Sequence, residues 1–148
     1  MFQTGWLGAI AFGVSPEVVR RVPGDPQDTS SPSTRPRIWK YGSLEVAFSG
    51  GELAFIGLYF RIDDLLPANL YFTGYCPVCG TTRQEFVEYL TAEGLPFGIF
   101  DLLTFDTQTC YEVGMGVHVL FDEHDRLDSV QYSRGAPRQG VTKSRRPW

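Results

Sequence analysis

The stretch Leu44-Glu-Val46-Ala-Phe48-Ser-Gly50-Gly51-Glu-Leu53-Ala-Phe-Ile56 decides the fold that the sequence predicts. Apolar and polar residues alternate in its first part, which is typical of a strand with one buried face. The Gly50-Gly51 pair suits the positive φ angles of a tight hairpin turn. We therefore predict antiparallel strands over residues 44–48 and 53–59, preceded by a strand over residues 37–41.

A second stretch, Val119-Leu-Phe121-Asp-Glu-His-Asp-Arg-Leu127-Asp-Ser-Val130, can be laid on the first at offsets of 73 and 74 residues. Each stretch has an aromatic strand end, a turn rich in Gly or Asp, and a Leu followed three residues later by Ile or Val. Self-similarity of this kind indicates an internal repeat. In this half we predict strands over residues 102–105, 111–121 and 127–132.

A helix start precedes each set of strands. Gly13-Val-Ser15-Pro-Glu-Val-Val19 combines a turn glycine, an N-cap serine and a proline at the first helical position. Gly80-Thr-Thr82-Arg-Gln-Glu85-Phe86 follows 67 residues later, and its Thr82 and Glu85 have the spacing of a capping box. We predict an α+β fold of two tandem units, each a helix followed by a three-stranded antiparallel sheet, with the two units sharing one sheet.

The predicted boundaries follow from this repeat. The first α+β unit covers residues 1–72 and contains a loop over residues 23–36, which is rich in Pro, Ser, Asp and Thr. The second unit covers residues 73–134. Residues 135–148 are expected to form a basic, disordered tail.

The first unit resembles the BamE/SmpA-like unit, in which a Gly-x-Ser/Thr helix start leads to a Val, a Gly-x-Pro helix stop and a three-stranded sheet. Gly24-Asp-Pro26 supplies the helix stop here, whereas the second unit has Leu95-Pro96 in its place. As a tandem pair, the chain is similar to the beta-lactamase inhibitory proteins. The resemblance implies a noncatalytic protein that binds other proteins, in the manner of a bacterial immunity protein that neutralises a toxin.

Charge is distributed unevenly along the 148 residues, whose formal net charge is −4. Residues 73–133 contain ten acidic and two basic side chains, and the last fifteen residues contain five basic side chains and no acid. An acidic body argues against direct nucleic-acid binding, because phosphates are met by Lys and Arg. No apolar run approaches the roughly 20 residues that span a bilayer, and no basic signal-peptide region is present. We expect no membrane association and a cytoplasmic location.

The predicted partner-binding surface combines carboxylates with aromatic anchors. The carboxylates lie on the second helix and the last hairpin, where they would attract a basic toxin or enzyme: Glu85, Glu88, Asp122, Glu123, Asp125 and Asp128. The aromatic anchors predicted on the sheet are Trp39, Tyr41, Tyr59 and Tyr111. The alternative is a solvated acidic surface above a core that contains the aromatic rings.

Cys76-Pro-Val-Cys79, directly before the second helix, has three interpretations. It is a redox pair whose thiolate is stabilised by the helix N-terminus, a zinc site completed by Cys110 and His118, or a structural turn between unreactive thiols. His118 lies mid-strand, on the side opposite Val117 and Val119.

No nucleophile, P-loop or dinucleotide-binding motif is present. We therefore predict a protein without catalytic residues or a cofactor, most concretely an immunity-type inhibitor that occludes a basic toxin. The alternatives are a zinc- or redox-dependent protein built on the cysteines, and a structural subunit of a larger assembly.

Overall fold

A computed structural model describes residues 7–60, 70 and 77–135 of the chain. Along these residues the elements are α1 (Pro16–Arg21), β1 (Asp28–Thr29), β2 (Arg37–Tyr41), β3 (Leu44–Ser49), β4 (Glu52–Tyr59), α2 (Arg83–Ala92), β5 (Phe97–Ile99), a 3₁₀ helix (Asp101–Leu103), β6 (Gln108–Val113), β7 (Val117–Asp122) and β8 (Leu127–Ser133). The strands form one sheet in the order β1-β2-β3-β4-β8-β7-β6-β5, and every neighbouring pair is antiparallel.

The two halves of the chain meet where β4 pairs with β8, from Phe55 opposite Ser133 to Tyr59 opposite Ser129. The pairing extends past both strand ends. The N–H of Phe60 donates to the carbonyl of Asp128 at 2.8 Å, and the N–H of Arg134 donates to the carbonyl of Ala54 at 2.8 Å. This joint makes the sheet continuous across the molecule.

Both helices contribute to a core cluster on one face of the sheet. Val19 of α1 and Phe86 and Leu90 of α2 are fully buried in this cluster. The strand residues that they join share alternate positions along the sheet, and include Leu44, Val46, Ile56, Val119, Phe121 and Val130. The rings of Phe86 and Phe121 have their centroids 5.7 Å apart. Burial of this apolar surface is the main driving force for the fold.

A smaller cluster lies on the opposite face, which we call the open face. The 3₁₀ helix brings Phe100 and Leu103 onto Cys110 of β6 and Leu120 of β7. The chain is held there by the N–H of Phe100, which donates to the carbonyl of Cys110 at 2.8 Å.

The α+β character is confirmed, and both predicted helices are present at the expected places. Strands β2, β3, β4 and β8 match the predicted strands to within one residue at each end. The strand predicted over residues 102–105 is wrong, because residues 101–103 form the 3₁₀ helix. The single strand predicted over residues 111–121 is a hairpin, since Gly114 and Gly116 take positive φ angles and turn the chain between β6 and β7.

Strands β1 and β5 were not predicted. They contain two and three residues, too few for an alternation pattern to be visible. β1 lies inside the stretch predicted to be a loop over residues 23–36. Apart from Gly135, the predicted tail lies outside the described residues.

Neither α1 nor α2, the helices found in the described ranges, has the length and apolarity needed to cross a bilayer.

The N-cap of α2 should contribute more stability than that of α1. The Thr82 hydroxyl accepts from the Glu85 N–H at 3.2 Å, and the Glu85 carboxylate accepts from the Thr82 N–H at 2.8 Å. Ser15 occupies the N-cap of α1 without a side-chain capping hydrogen bond. We expect Thr82→Ala to lower the free energy of unfolding by about 1 kcal/mol, and Ser15→Ala to lower it by less than half as much. Urea denaturation of the two variants measures this difference, and equal losses would contradict it.

Candidate functional site

The N-terminus of α2 is joined to the turn between β7 and β8. Thr82 forms an isolated bridge with Arg126, and the N–H of Arg83 donates to the carbonyl of Asp125 at 2.8 Å. The Arg83 guanidinium also donates to the Asp125 carboxylate at 2.9 Å. Asp125 has a positive φ of 58°, which a short polar side chain tolerates in a turn. The helix and the hairpin that carry the predicted carboxylates are therefore neighbours.

We define the acidic surface as the carboxylates of this helix and hairpin: Glu85, Glu88, Asp122, Glu123, Asp125 and Asp128. Several of them also fix local structure. The hydrogen bonds that Glu85 accepts from the Thr82 N–H and hydroxyl hold the pKa of its carboxyl below the usual range. Glu88 accepts from the amide of Gln84, one helical turn earlier, at 2.9 Å.

The hairpin carboxylates differ in how firmly they are held. One Asp122 oxygen accepts from the backbone N–H groups of His124 and Arg126, both at 2.9 Å. The Glu123 carboxylate lies 3.6 Å from the His124 ring, and both side chains are mostly exposed. Glu123, like Glu88, contacts an exposed neighbouring side chain and can turn to an incoming partner without breaking a turn or a cap.

Two of the predicted aromatic anchors belong to the core. Trp39 is 1% exposed, with the guanidinium of Arg20 5.0 Å from its ring and that of Arg37 5.2 Å away. Tyr41 is 3% exposed, and its hydroxyl donates to the carbonyl of Gly24 at 3.1 Å. Their position opposite α1 buries both rings, so the partner contact predicted for them has no accessible surface in this conformation.

The other two predicted anchors are half-buried. The Tyr111 ring lies edge-on between Phe97 and Phe121, at centroid distances of 6.0 and 6.1 Å. Tyr59 lies beside Gly57, where a Cβ atom would come within 3.2 Å of its ring. The structure thus brings the carboxylates together but does not bring the four aromatic rings to them.

His118 lies on the open face between two polar strand neighbours. Glu112 is opposite it on β6 and Gln131 is opposite it on β8. Its ring is 4.4 Å from that of Phe100. Partial burial lowers the pKa of His118, and the charge of Glu112 opposes that shift only in part. The neutral imidazole is favoured in the folded chain.

The cysteines lie in contrasting environments. Cys110 is fully buried, and burial raises the pKa of its thiol to about 12, which disfavours the thiolate that redox or zinc chemistry requires. Cys79 is exposed. Cys76 lies outside the described residues. In the part of the chain that the structure describes, no group of three or more His, Cys, Asp or Glu side chains is placed to hold a metal ion.

Exposed apolar side chains are concentrated near β5. Of the seven large exposed apolar residues in the described ranges, five share the segment from β5 to the turn before β7: Phe97, Ile99, Leu102, Phe105 and Met115. Sequence reasoning missed them because an apolar residue in a short irregular segment is assigned to the core by default. An apolar run next to Pro96 without helical or strand periodicity was the available signal.

No family model, no curated protein and no solved structure matches this chain. The candidate site is therefore defined by its own geometry. The resemblance to the BamE/SmpA-like unit stays a prediction.

The two described thiols should differ in reactivity. In a chain carrying Cys76→Ser, we expect Cys79 to react readily with a disulfide reagent at pH 8. Cys110 should react at least roughly 100-fold more slowly, because it is buried and little of it is thiolate. Rates are followed by absorbance, and denaturation in urea should make the two thiols equivalent. Equal rates in the folded protein would contradict the buried position of Cys110.

Protonation of His118 should destabilise the fold. Its pKa is lowered in the folded state, so its contribution to stability is fully present above the unfolded pKa of about 6.5 and is lost as the pH falls below that value. We expect His118→Gln to reduce the difference in melting temperature between pH 8 and pH 5. His124→Gln is the matched control, since that side chain is 73% exposed. The same pH dependence in wild type and His118→Gln would contradict the assignment.

Proposed function

We propose that this chain is a noncatalytic protein-binding module, an immunity-type inhibitor that occludes a basic toxin. The observation that carries this proposal is the junction of α2 with the β7–β8 turn, held by the Arg83–Asp125 contacts. It makes one continuous acidic surface from carboxylates that are more than thirty residues apart in the chain. The resemblance to noncatalytic protein binders supports the same class.

The charge of the region gives the partner's sign. Residues 84–125 contain nine acidic side chains and no Lys or Arg. Arg83 and Arg126 flank this segment, and the charge of Arg83 is balanced by Asp125 at 2.9 Å. Glu88 and Glu123 consequently face solvent with no Lys or Arg near them in sequence. A field of one sign increases the rate of encounter with a partner of the opposite sign.

The acidic surface is also preorganised. Glu85 is fixed by the capping box and Asp122 by its two backbone hydrogen bonds. Carboxylates held in place before binding lose less side-chain entropy when a partner arrives. This feature supports a binding surface more than a loosely solvated one.

Repeated backbone contacts support the tandem organisation of two units. Leu53 N–H donates to the carbonyl of Val14, and Leu127 N–H donates to the carbonyl of Thr81, both at 2.8 Å. These donors are 74 residues apart and the acceptors 67, the offsets of the sequence repeat. The register also shifts by one residue in both β3–β4 and β7–β8. In this proposal each unit contributes four strands, and the additional strands are β1 and β5.

The site of action follows from the proposed role. A protein that neutralises a toxin before the toxin damages its own cell acts in the compartment where both are made, and we place this in the cytoplasm. The interaction requires no cofactor.

Charge reversal within the acidic surface tests the proposal. The chain is co-expressed with the product of the gene that adjoins its own, and cell survival and association rate are measured. We expect the chain to restore survival. Glu88→Lys with Glu123→Lys should lower the association rate at low salt by roughly 10-fold and reduce its salt dependence.

Glu17→Lys with Asp25→Lys is the matched control, because it makes the same change of charge at exposed residues in the first half of the chain. We expect the control to retain most of the wild-type rate. Failure of the wild-type chain to bind or protect would refute the proposed function. Equal rates for the two double variants would refute the role of the acidic surface.

A further inference from the structure

Strand β5 forms one end of the sheet and is exposed along its whole length. Phe97 is 37% exposed and Ile99 is 58% exposed, and Gly98 between them is also exposed. Within the described residues β6 is the one strand paired with it. An apolar, unprotected edge strand is the geometry that accepts an added strand from another chain.

The hydrogen-bonding pattern leaves two residues of β5 facing outward. Gly114 N–H donates to the carbonyl of Pro96, and Phe100 N–H donates to the carbonyl of Cys110, both at 2.8 Å. Because backbone groups alternate between the two sides of a strand, Gly98 is the β5 residue that pairs with β6. The N–H and C=O groups of Phe97 and Ile99 consequently point away from the sheet.

Apolar side chains surround this backbone edge. The Gly114–Pro96 hydrogen bond ties the β6–β7 turn, which carries Met115, to the start of β5. Leu102 and Phe105 follow the other end of the strand, and each is 61% exposed. An incoming strand would therefore gain apolar contacts as well as backbone hydrogen bonds.

The opposite edge of the sheet is protected. β1 contains only Asp28 and Thr29, and the Thr29 N–H, which points away from β2, donates to the Asp28 carboxylate at 2.8 Å. A polar side chain thus already occupies the outward donor at that edge. The contrast singles out β5 as the edge open to a partner.

Charge complementarity identifies the occupant. Glu112 lies opposite Gly98 on β6, and Asp101 and Asp106 follow β5 in the chain. With no Lys or Arg between residues 84 and 125, a second copy of this chain would bring like charges together at the edge. A segment that carries Lys or Arg between apolar residues would bring opposite charges.

We propose that the outer edge of β5 is a second docking site, which takes an extended, Lys/Arg-bearing segment of the partner protein as an added strand. This inference rests on the proposed function for the identity of the partner. The acidic surface lies at the N-terminus of α2, whereas β5 follows its C-terminus. The two sites would hold different parts of one basic protein.

A peptide assay tests the site without the partner. The probe is a synthetic peptide of alternating Lys and Val, and a peptide of alternating Glu and Val with the same length is its control. Binding to the full chain is measured by calorimetry, and amide hydrogen exchange reports its position. In the unbound chain we expect protection at Gly98 and none at Phe97 and Ile99. The basic peptide should bind and protect those two amides.

Proline variants test the backbone contact. Ile99→Pro removes an outward N–H and leaves the Gly98–Glu112 pairing intact, so it should weaken peptide binding at least about 10-fold. Thr29→Pro makes the equivalent change at the opposite edge and should bind as wild type does. Phe97→Thr with Ile99→Thr retains strand propensity and removes apolar contacts. It should also weaken binding, and it provides the test if Ile99→Pro fails to fold.

Three results would overturn the proposal. These are equal binding of the basic and acidic peptides, wild-type affinity in the folded β5 variants, and self-association of the chain that Ile99→Pro abolishes. The last result would assign the edge to a second copy. Because the peptide assay requires no toxin, its failure leaves the co-expression test of the proposed function unaffected.

Discussion

The pairing of β4 with β8 is the interaction on which the rest of the structure depends. It joins the strands of residues 28–59 to those of residues 97–133 and makes one sheet of eight. Ile56 and Leu58 of β4 and Val130 of β8 are buried along this joint. Each half of the sheet then has its apolar face on the same side, so the core can be continuous beneath both helices.

The joint also determines where the functional surfaces lie. Since β4 and β8 occupy the middle of the sheet, the short strands β1 and β5 are left at its ends. At one end the Asp28 carboxylate accepts the outward N–H of Thr29, and at the other the outward groups of Phe97 and Ile99 adjoin exposed apolar side chains. The helices bury one face, and the acidic surface forms where α2 meets the β7–β8 turn.

Sequence reasoning succeeded where the information was local. The capping box of Thr82 and Glu85 and the Gly50-Gly51 hairpin depend on residues a few positions apart, and both are present in the structure. It failed over residues 102–105, because an apolar run of four residues fits a strand or a 3₁₀ turn equally well. The burial of Trp39 and Tyr41 could not be predicted either, since an aromatic ring suits a core as well as a binding surface.

The sequence by itself determined the helix starts, most of the long strands and the acidic charge of residues 84–125, because caps, alternation and formal charge are properties of neighbouring residues. Only the tertiary structure decided which strand lies at an edge, which aromatic rings are buried and which carboxylates are neighbours. Asp125 meets Arg83 across forty-two positions of the chain, and Phe97 and Ile99 are exposed because nothing described pairs with the outer side of β5. Such relations depend on strand order and packing, which local patterns do not encode.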